Sequence, residues 1–496
     1  MAGVKQSVLT TIFSYVGVIV GYVNLLWLFP YVLSPTQIGL FKTVQDIALL
    51  LVPFAQLGIG HGITRFFPRL RGKEFAFFSF SLIIATVGFF MVASLFFVFK
   101  TPIINAFAEK APEVNNFLIV ALLITFFSLF NSLLEAFCRS FLKIAIPSLI
   151  RDVFLRVFMA MLVIGYYFSF YSFDFMIWGM GAVYMLAMIS IMLYMKREKI
   201  FKIDFNWKRI TLPIKKEFLQ YSLITLLGTA GALLIMKIDS IMVSSMIGLD
   251  ANAIYTIGFS IAVVIEMPRR AISQVAMPVI SEMFAKNQLT GINALYKKIA
   301  INQLLICLLI FLMIWINIES LYHFVPNRSI YEQGKWVVLL IGLGKLTDVI
   351  FSVNGEIIVF SKFYTFNITA TLFMSVAVIV FNLVLIPHYG IEGAALASLI
   401  AMFFYNFVKF VFIKIWLGFN SFTPNVFLIL LAGILSWAVS YYLIPTFEAV
   451  ILDILVRSGI VTAVYLLLVH LLKAAPETET MVLQKIKQLL SMLSKH

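Results

Sequence analysis

Ionisable side chains stand inside runs of sequence that are otherwise apolar enough to cross a bilayer. Residues 217–246 read EFLQYSLITLLGTAGALLIMKIDSIMVSSM, and residues 251–284 read ANAIYTIGFSIAVVIEMPRRAISQVAMPVISEMF. A helix of about 20 residues is enough to cross the hydrocarbon core. The first run holds Lys237 and Asp239; the second holds Glu266, Arg269 and Arg270. A second apolar run adds Lys42 and Asp46, and a tenth adds Lys345, Asp348 and Glu356. Each such group costs about 2.5–3.5 kcal/mol on insertion scales, so it must face a partner or a water-filled cavity. Two chemistries fit. Lysines and arginines lining a pathway would hold an anion by charge-assisted hydrogen bonds. The carboxylates would serve as ion-coupling sites or as counter-ions. The plainer alternative is a set of structural ion pairs, or long side chains reaching back to the interface.

Spacing narrows the choice. Lys42 and Asp46 are four residues apart and Lys345 and Asp348 three, so each couple shares a helix face and is expected to pair internally. Lys237 and Asp239 are two apart and face different ways. Lys237 therefore needs a hydrated cavity or an acid on a facing helix, such as Glu266 or Asp348. Arg269 and Arg270 belong either to the interior or to the cytoplasmic edge. Bases and acids within these runs balance, so their number alone does not establish an anion-attracting cavity.

The elements that carry these residues are membrane helices. Of 496 residues, 62% are hydrophobic and 12% charged, with a mean hydropathy of +1.02, whereas soluble domains are about 25% charged. The net charge of +14 would suggest nucleic acid in a soluble chain. Here the basic residues lie mostly in links between apolar runs, so topology explains them and no nucleic-acid partner is expected. Cys138 and Cys307 lie in or at the edge of apolar runs without metal-ligand spacing. The first run, from about Val8 to Leu33, is too long for a signal-peptide core and is expected to be retained.

Fourteen spans are predicted, starting near residues 8, 37, 75, 114, 147, 174, 218, 252, 298, 336, 362, 391, 425 and 450. Backbone polar groups in lipid must be satisfied within the segment, so the fold class is an all-α polytopic membrane protein. Alternate links are basic, notably Arg65 to Lys73 and the stretch 196–217, while the others are nearly uncharged or acidic. By the positive-inside rule both termini are cytoplasmic. The expected organisation is a six-helix bundle over 1–195, a basic cytoplasmic linker at 196–217 and a second six-helix bundle over 218–416. Helices thirteen and fourteen follow at 417–475, and a cytoplasmic amphipathic tail at 476–496. A shift of 214 residues lays PTQIGLF at 35–41 on LDANAIY at 249–255 and Gly179 on Gly393. Repeated halves of this kind are the usual plan of secondary transporters. Gly17 and Gly21, Gly228 and Gly231, Gly342 and Gly344, and Gly393 to Ala397 read as helix-packing devices. Pro30, Pro268, Pro278 and Pro387 are expected at or near span ends, and Pro53 within its span as a kink.

No sequence pattern for catalysis stands out. There is no P-loop, no H-E-x-x-H, no G-x-S-x-G and no D-x-D pair, and the five histidines have no ligand spacing. No metal or cofactor is expected, no ATP motif supplies energy, and the chain is read as a transporter rather than an enzyme.

Three strings resemble one family. NLVLIPHYGIEGAALASLIA at 382–401 is similar to the N-x-x-L-I-P-x-Y-G-I-x-G-A-A-x-A signature of polysaccharide and O-antigen flippases. LSPTQIGLFKTVQDIALLLVPFAQLGIGHGITRFFPR at 33–69 resembles that family's second helix, and KIDSIMVSSMIGLDANAIYTIGFSIAVVIEMPRRAISQ at 237–274 its seventh and eighth. The family belongs to the multidrug/oligosaccharidyl-lipid/polysaccharide exporter superfamily, and the resemblance covers roughly residues 1–420. It implies an inner-membrane flippase for a polyprenyl-diphosphate-linked oligosaccharide, working by alternating access between two bundles. By position, it places the anionic diphosphate on Lys42, Arg65, Lys237, Arg269, Arg270 and Lys345. It leaves Asp46, Asp239, Glu266, Asp348 and Glu356 as H+ or Na+ coupling sites or counter-ions. Its partners would be the lipid-linked glycan, membrane lipids, and a neighbouring glycan polymerase or glycosyltransferase. Two rivals are a cation-coupled multidrug and toxin extrusion exporter, and a membrane glycan polymerase or ligase. The second would need a sizeable extramembrane loop, whereas the longest outer link, near 317–335, offers only Glu319, His323, Arg328 and Glu332.

Overall fold

The computed structural model describes residues 2–443 and 447–476; the amphipathic tail expected at 476–496 lies outside them beyond Pro476. Among the described residues the regular structure is entirely helical. Among the described residues eleven helices are long and apolar enough to cross a membrane, and a bent pair, Arg328–Ile350 with Asn354–Phe360, makes twelve when counted as one span. Helix Tyr364–Trp416 breaks at Gly390 (φ 59°, ψ −135°), which divides it into two lengths that each suffice to cross. The run 145–167 is helical too, interrupted by a π turn at Ile150–Phe154, and its Arg151, Asp152 and Arg156 keep its hydropathy down. Together these make the fourteen spans expected from sequence, and the chain is a multi-pass membrane protein.

In chain order they are α1 (Val8–Val32), α2 (Pro35–Gln56), α3 (Glu74–Val98), α4 (Pro112–Ser140), α5 (145–167), α6 (Phe173–Arg197) and α7 (Leu212–Met246). Then come α8 (Leu249–Ala285), α9 (Leu289–Ile316), α10 (the bent pair), α11 (364–389), α12 (391–416), α13 (Pro424–Leu443) and α14 (Val450–Leu471). Local signals explain several boundaries. Ser34 caps α2 by accepting from the Gln37 amide, and Gln37 accepts from the Ser34 amide in return, a reciprocal capping box. Pro213 in the first turn of α7 starts that helix inside the basic link, so Lys215, Lys216 and Glu217 are already helical.

Two prolines sit elsewhere than expected. Pro53 lies in the last turn of α2, which ends at Gln56 with Leu57 in the left-handed region, so it closes the helix rather than kinking its middle. Pro268 lies deep within α8, not at its end. It has no N–H for the carbonyl four residues back, and the helix tightens to a 3-10 turn at Val264–Glu266 before restarting at Met267. That turn carries Glu266.

The chain divides into two compact units. The first is 1–257 with 378–391. There α4 packs between α2 and α6, and α7 packs along α2. Its core is aromatic, with Phe78 stacked on Phe137 at 4.2 Å and Phe218 edge-on to Phe77 at 4.9 Å. Thr36 donates to Asp250 there, joining two positions that the 214-residue shift makes equivalent. The second unit is 258–377 with 392–496. In it α9 is central, packed against α10, α13, α14 and the later part of α8, around Leu304, Cys307, Leu312, Val426, Ile429 and Tyr465. Both cysteines are free and buried.

Candidate functional site

In the first unit the charged residues of α2 and α7 meet. Lys237 Nζ lies 2.6 Å from Asp46 Oδ1, with the lysine side chain 24% exposed and the aspartate 6%. The acid that answers Lys237 is thus Asp46, not Glu266 or Asp348 as the sequence suggests. The expected internal pair of Lys42 with Asp46 gives way to it. Lys42 instead donates to Gln45 at 3.4 Å while staying within electrostatic reach of Asp46 and Lys237. Gln45 in turn donates to the Tyr184 hydroxyl on α6 at 3.1 Å. Two lysines therefore bear on one buried carboxylate.

Asp239, two residues beyond Lys237, is buried on another face. It accepts from the Tyr255 hydroxyl at 2.9 Å and the Asn382 amide at 2.6 Å. Beside it Thr43, Ser244, Asn252 and Ser240 form a buried hydrogen-bonded chain between α2, α7 and α8. Arg65 stands apart. It is exposed on the short helix Ile59–Phe66, with its guanidinium 4.2 Å over the Tyr221 ring. The length of helix between Lys42 and Gln56 puts that end about 20 Å away.

In the second unit the pairs again cross between helices. Lys345 Nζ lies 2.8 Å from Glu266 Oε2, and Arg269 lies 3.0 Å from Asp348, so the expected Lys345–Asp348 pair is not formed. Glu266 also takes Arg270 at 3.2 Å and stands 4.0 Å from Arg269. Arg269, Glu266, Lys345 and Asp348 are all largely buried, while Arg270 is half exposed. Arg269 therefore belongs to the interior, one of the two placements open from sequence. The 3-10 turn at Pro268 brings Glu266 into reach of three cations, a device that helical spacing alone does not show.

Next to this network a cavity of about 330 Å³ is lined by Arg269, Asp348, Asn354, Glu356, Asn367 and Lys409, among others. Lys409 is not among the residues that spacing singles out. It is only 4% exposed, donates to the Tyr405 hydroxyl at 2.5 Å and lies over that ring. The apolar run FFYNFVKFVFIKIW, which holds Lys409 and Lys414 and no acid, is the one signal the sequence offers for it. Nor does spacing point to Asn382 and Tyr255 as partners of Asp239, although Asn382 heads the string at 382–401.

The family profile described as polysaccharide biosynthesis protein matches residues 4–284. The chain belongs to that family. An uncharacterized membrane protein of Methanocaldococcus jannaschii, MJ1068, is 24% identical over 466 residues, covering 87% of this chain and 88% of that protein. Among solved structures, the lipid II flippase MurJ in an inward closed conformation superposes with a TM-score of 0.70 at 14% identity, over 93% of this chain and 98% of that one. An inward-facing multidrug resistance MATE family transporter of the MOP superfamily gives 0.58 at 16% identity, over 83% and 94%. The Vibrio cholerae MATE transporter VcmN in its bent form gives 0.52 at 12%, over 84% and 98%. At these identities the likeness shows the fold: that of a flippase and of transporters in one superfamily.

Proposed function

We propose that the protein is a flippase that moves a polyprenyl-diphosphate-linked oligosaccharide, such as an O-antigen or other surface-polysaccharide repeat unit, across the inner (cytoplasmic) membrane by alternating access. The observation that carries this reading is the first unit's cluster, where Lys42 and Lys237 bear on the single carboxylate of Asp46. A positive excess at membrane depth is stable when hydrated or met by an anion, and a diphosphate is such an anion. Lys42 and Lys237 then hold the phosphates in the first unit. Arg269, Arg270 and Lys345 supply further positive charge in the second. Arg65, beside Glu217 and Tyr221, would meet the headgroup at the cytoplasmic entrance. The two six-helix bundles and cytoplasmic termini inferred from charge patterning fit the same cycle, without chemistry on the substrate.

A second reading is an exporter of cationic compounds coupled to H+ or Na+. It is favoured by the MATE likeness and by the buried acids Asp46, Asp239 and Glu266, with Asp348 and Glu356 available beside them. Reconstitution separates the two. Proteoliposomes should move a fluorescent polyprenyl-diphospho-oligosaccharide between leaflets, scored by dithionite quenching, and should not concentrate ethidium under a proton or sodium gradient. Ethidium accumulation without lipid movement would reverse the choice. Covalent change to the glycan by the purified protein would instead make it an enzyme.

A further inference from the structure

The cavity of about 330 Å³ in the second unit lies where α10 breaks. The first helix of α10 stops at Ile350, Ser352 takes up the left-handed region, and a new helix starts at Asn354. The break places Asn354, Gly355 and Glu356 on the cavity wall, which Arg269 of α8, Asn367 of α11 and Lys409 of α12 also line. Gly355 leaves that wall bare. A Cβ there would fall 3.3 Å from Lys409 Nζ and 3.9 Å from Asn367 Oδ1, so a cationic donor and an amide acceptor stand close together around one open spot.

Several of these groups have hydrogen-bonding capacity left over. Lys409 is buried, donates to the Tyr405 hydroxyl at 2.5 Å and, among the described residues, pairs with no carboxylate; an ammonium has three donors. Asn367 Oδ1 and Arg269 Nε are buried and have no hydrogen-bond partner among the described residues. The rest of the Arg269 guanidinium is taken by Asp348 at 3.0 Å and the Ser352 carbonyl at 3.4 Å. No described residue donates to the Glu356 carboxylate. Asn354 is fixed in place by donating to Asn406 Oδ1 at 3.1 Å.

This mixture selects among ligands. A bare anion would meet Glu356 and Asp348, a metal cation would meet Lys409 and Arg269, and an apolar molecule would leave the polar atoms unsatisfied. A sugar hydroxyl both donates and accepts, so it can donate to Asn367 or Glu356 while accepting from Lys409 or Arg269. Tyr405, Phe360 and Val359 add apolar surface for the C–H face of a ring. The volume lies at the low end of the range for small-molecule sites, about 300–1,000 Å³. We propose that this cavity is a sugar subsite that holds part of the carried glycan, with Lys409 and Asn367 among its polar contacts. That the sugar is lipid-linked rests on the flippase reading above.

The test uses the full chain in phosphatidylcholine nanodiscs and the methyl glycosides of glucose, galactose, N-acetylglucosamine and rhamnose, read by saturation-transfer NMR. At least one should bind the wild type, and neither pyrophosphate nor sodium should displace it. Asn367→Leu removes an acceptor that has no partner, so melting should stay at or above the wild type while affinity falls about fivefold, the contribution of one hydrogen bond. Lys409→Met should lower affinity about tenfold or more, because charge-assisted bonds are about twice as strong. Unaltered affinity in either folded variant overturns the proposal, as does failure of every glycoside to bind. Displacement by pyrophosphate or sodium would make the cavity an ion site and overturn it too. The subsite and the flippase reading fail separately. A glycoside held through Lys409 and Asn367 without leaflet-to-leaflet movement of lipid keeps the subsite and removes the reading; lipid movement without glycoside binding does the reverse.

Discussion

In the first unit the single carboxylate of Asp46 stands against Lys42 and Lys237, whereas in the second Glu266, Asp348 and the neighbouring Glu356 answer Lys345, Arg269 and Arg270. The residue types are the same, and both sets lie within long apolar helices. What differs is the balance. Where acids and bases match at hydrogen-bond distance, each ion is kept charged by its neighbours and the network ties helices together. Where bases exceed acids, the surplus persists only with water or a bound anion nearby. The second network therefore reads mainly as a brace, and the first mainly as a binding site.

The comparison can be broken most forcefully at Glu266. Glu266→Gln leaves Lys345 and Arg270 without their acid, and removing one partner from a buried ion network costs about 3–5 kcal/mol. The protein should melt well below the wild type in detergent, and an unchanged melting temperature would mean that this network braces nothing. Asp46→Asn should do less, about 1–3 kcal/mol, since it removes one hydrogen-bonded partner of a lysine that is still partly exposed. The same change should tighten binding of farnesyl-diphospho-N-acetylglucosamine, because it removes the negative charge that Asp46 sets against the lysines; weaker binding would show that Asp46 orients Lys237 rather than offsetting it. The smallest effect belongs to the exposed pair of Glu282 with Lys286 at 2.5 Å. Glu282→Gln should leave both melting and transport unchanged, as surface pairs are screened by water. A clear shift there would undo the distinction between buried and exposed charge on which the comparison rests.

The spans are legible because the bilayer imposes a length and a composition on any sequence that crosses it. The break at Gly390 falls just before the predicted start at 391, and the run 145–167 begins beside the predicted start at 147, even though charges interrupt its hydropathy. Partner choice is less legible. Spacing can pair Lys42 with Asp46 or Lys345 with Asp348 along one helix, but the closer partners lie on other helices, 191 residues away for Lys237 and Asp46. Pro268 reads as a span end because proline usually stops a helix; here it turns α8 and delivers Glu266 to its three cations. Gly17 and Gly21 do allow the close approach that their spacing implies: the Asp152 backbone carbonyl lies against Gly17 and the Arg156 side chain against Gly21. Lys409 escapes notice because the run that holds it and Lys414 contains no acid with which spacing could pair it.

The central claim is that the cations facing Asp46 carry the substrate, and Lys237 tests it most directly. Wild type, Lys237→Ala and the double variant Lys237→Ala/Asp46→Asn should be reconstituted at equal density and assayed for leaflet-to-leaflet movement of a fluorescent polyprenyl-diphospho-oligosaccharide. Removing the aspartate as well leaves no buried carboxylate unanswered at that position, so the double variant should melt near the wild type. The expected result is movement by the wild type and background rates for both variants. A well-folded Lys237→Ala protein that moves the lipid at the wild-type rate would contradict the claim.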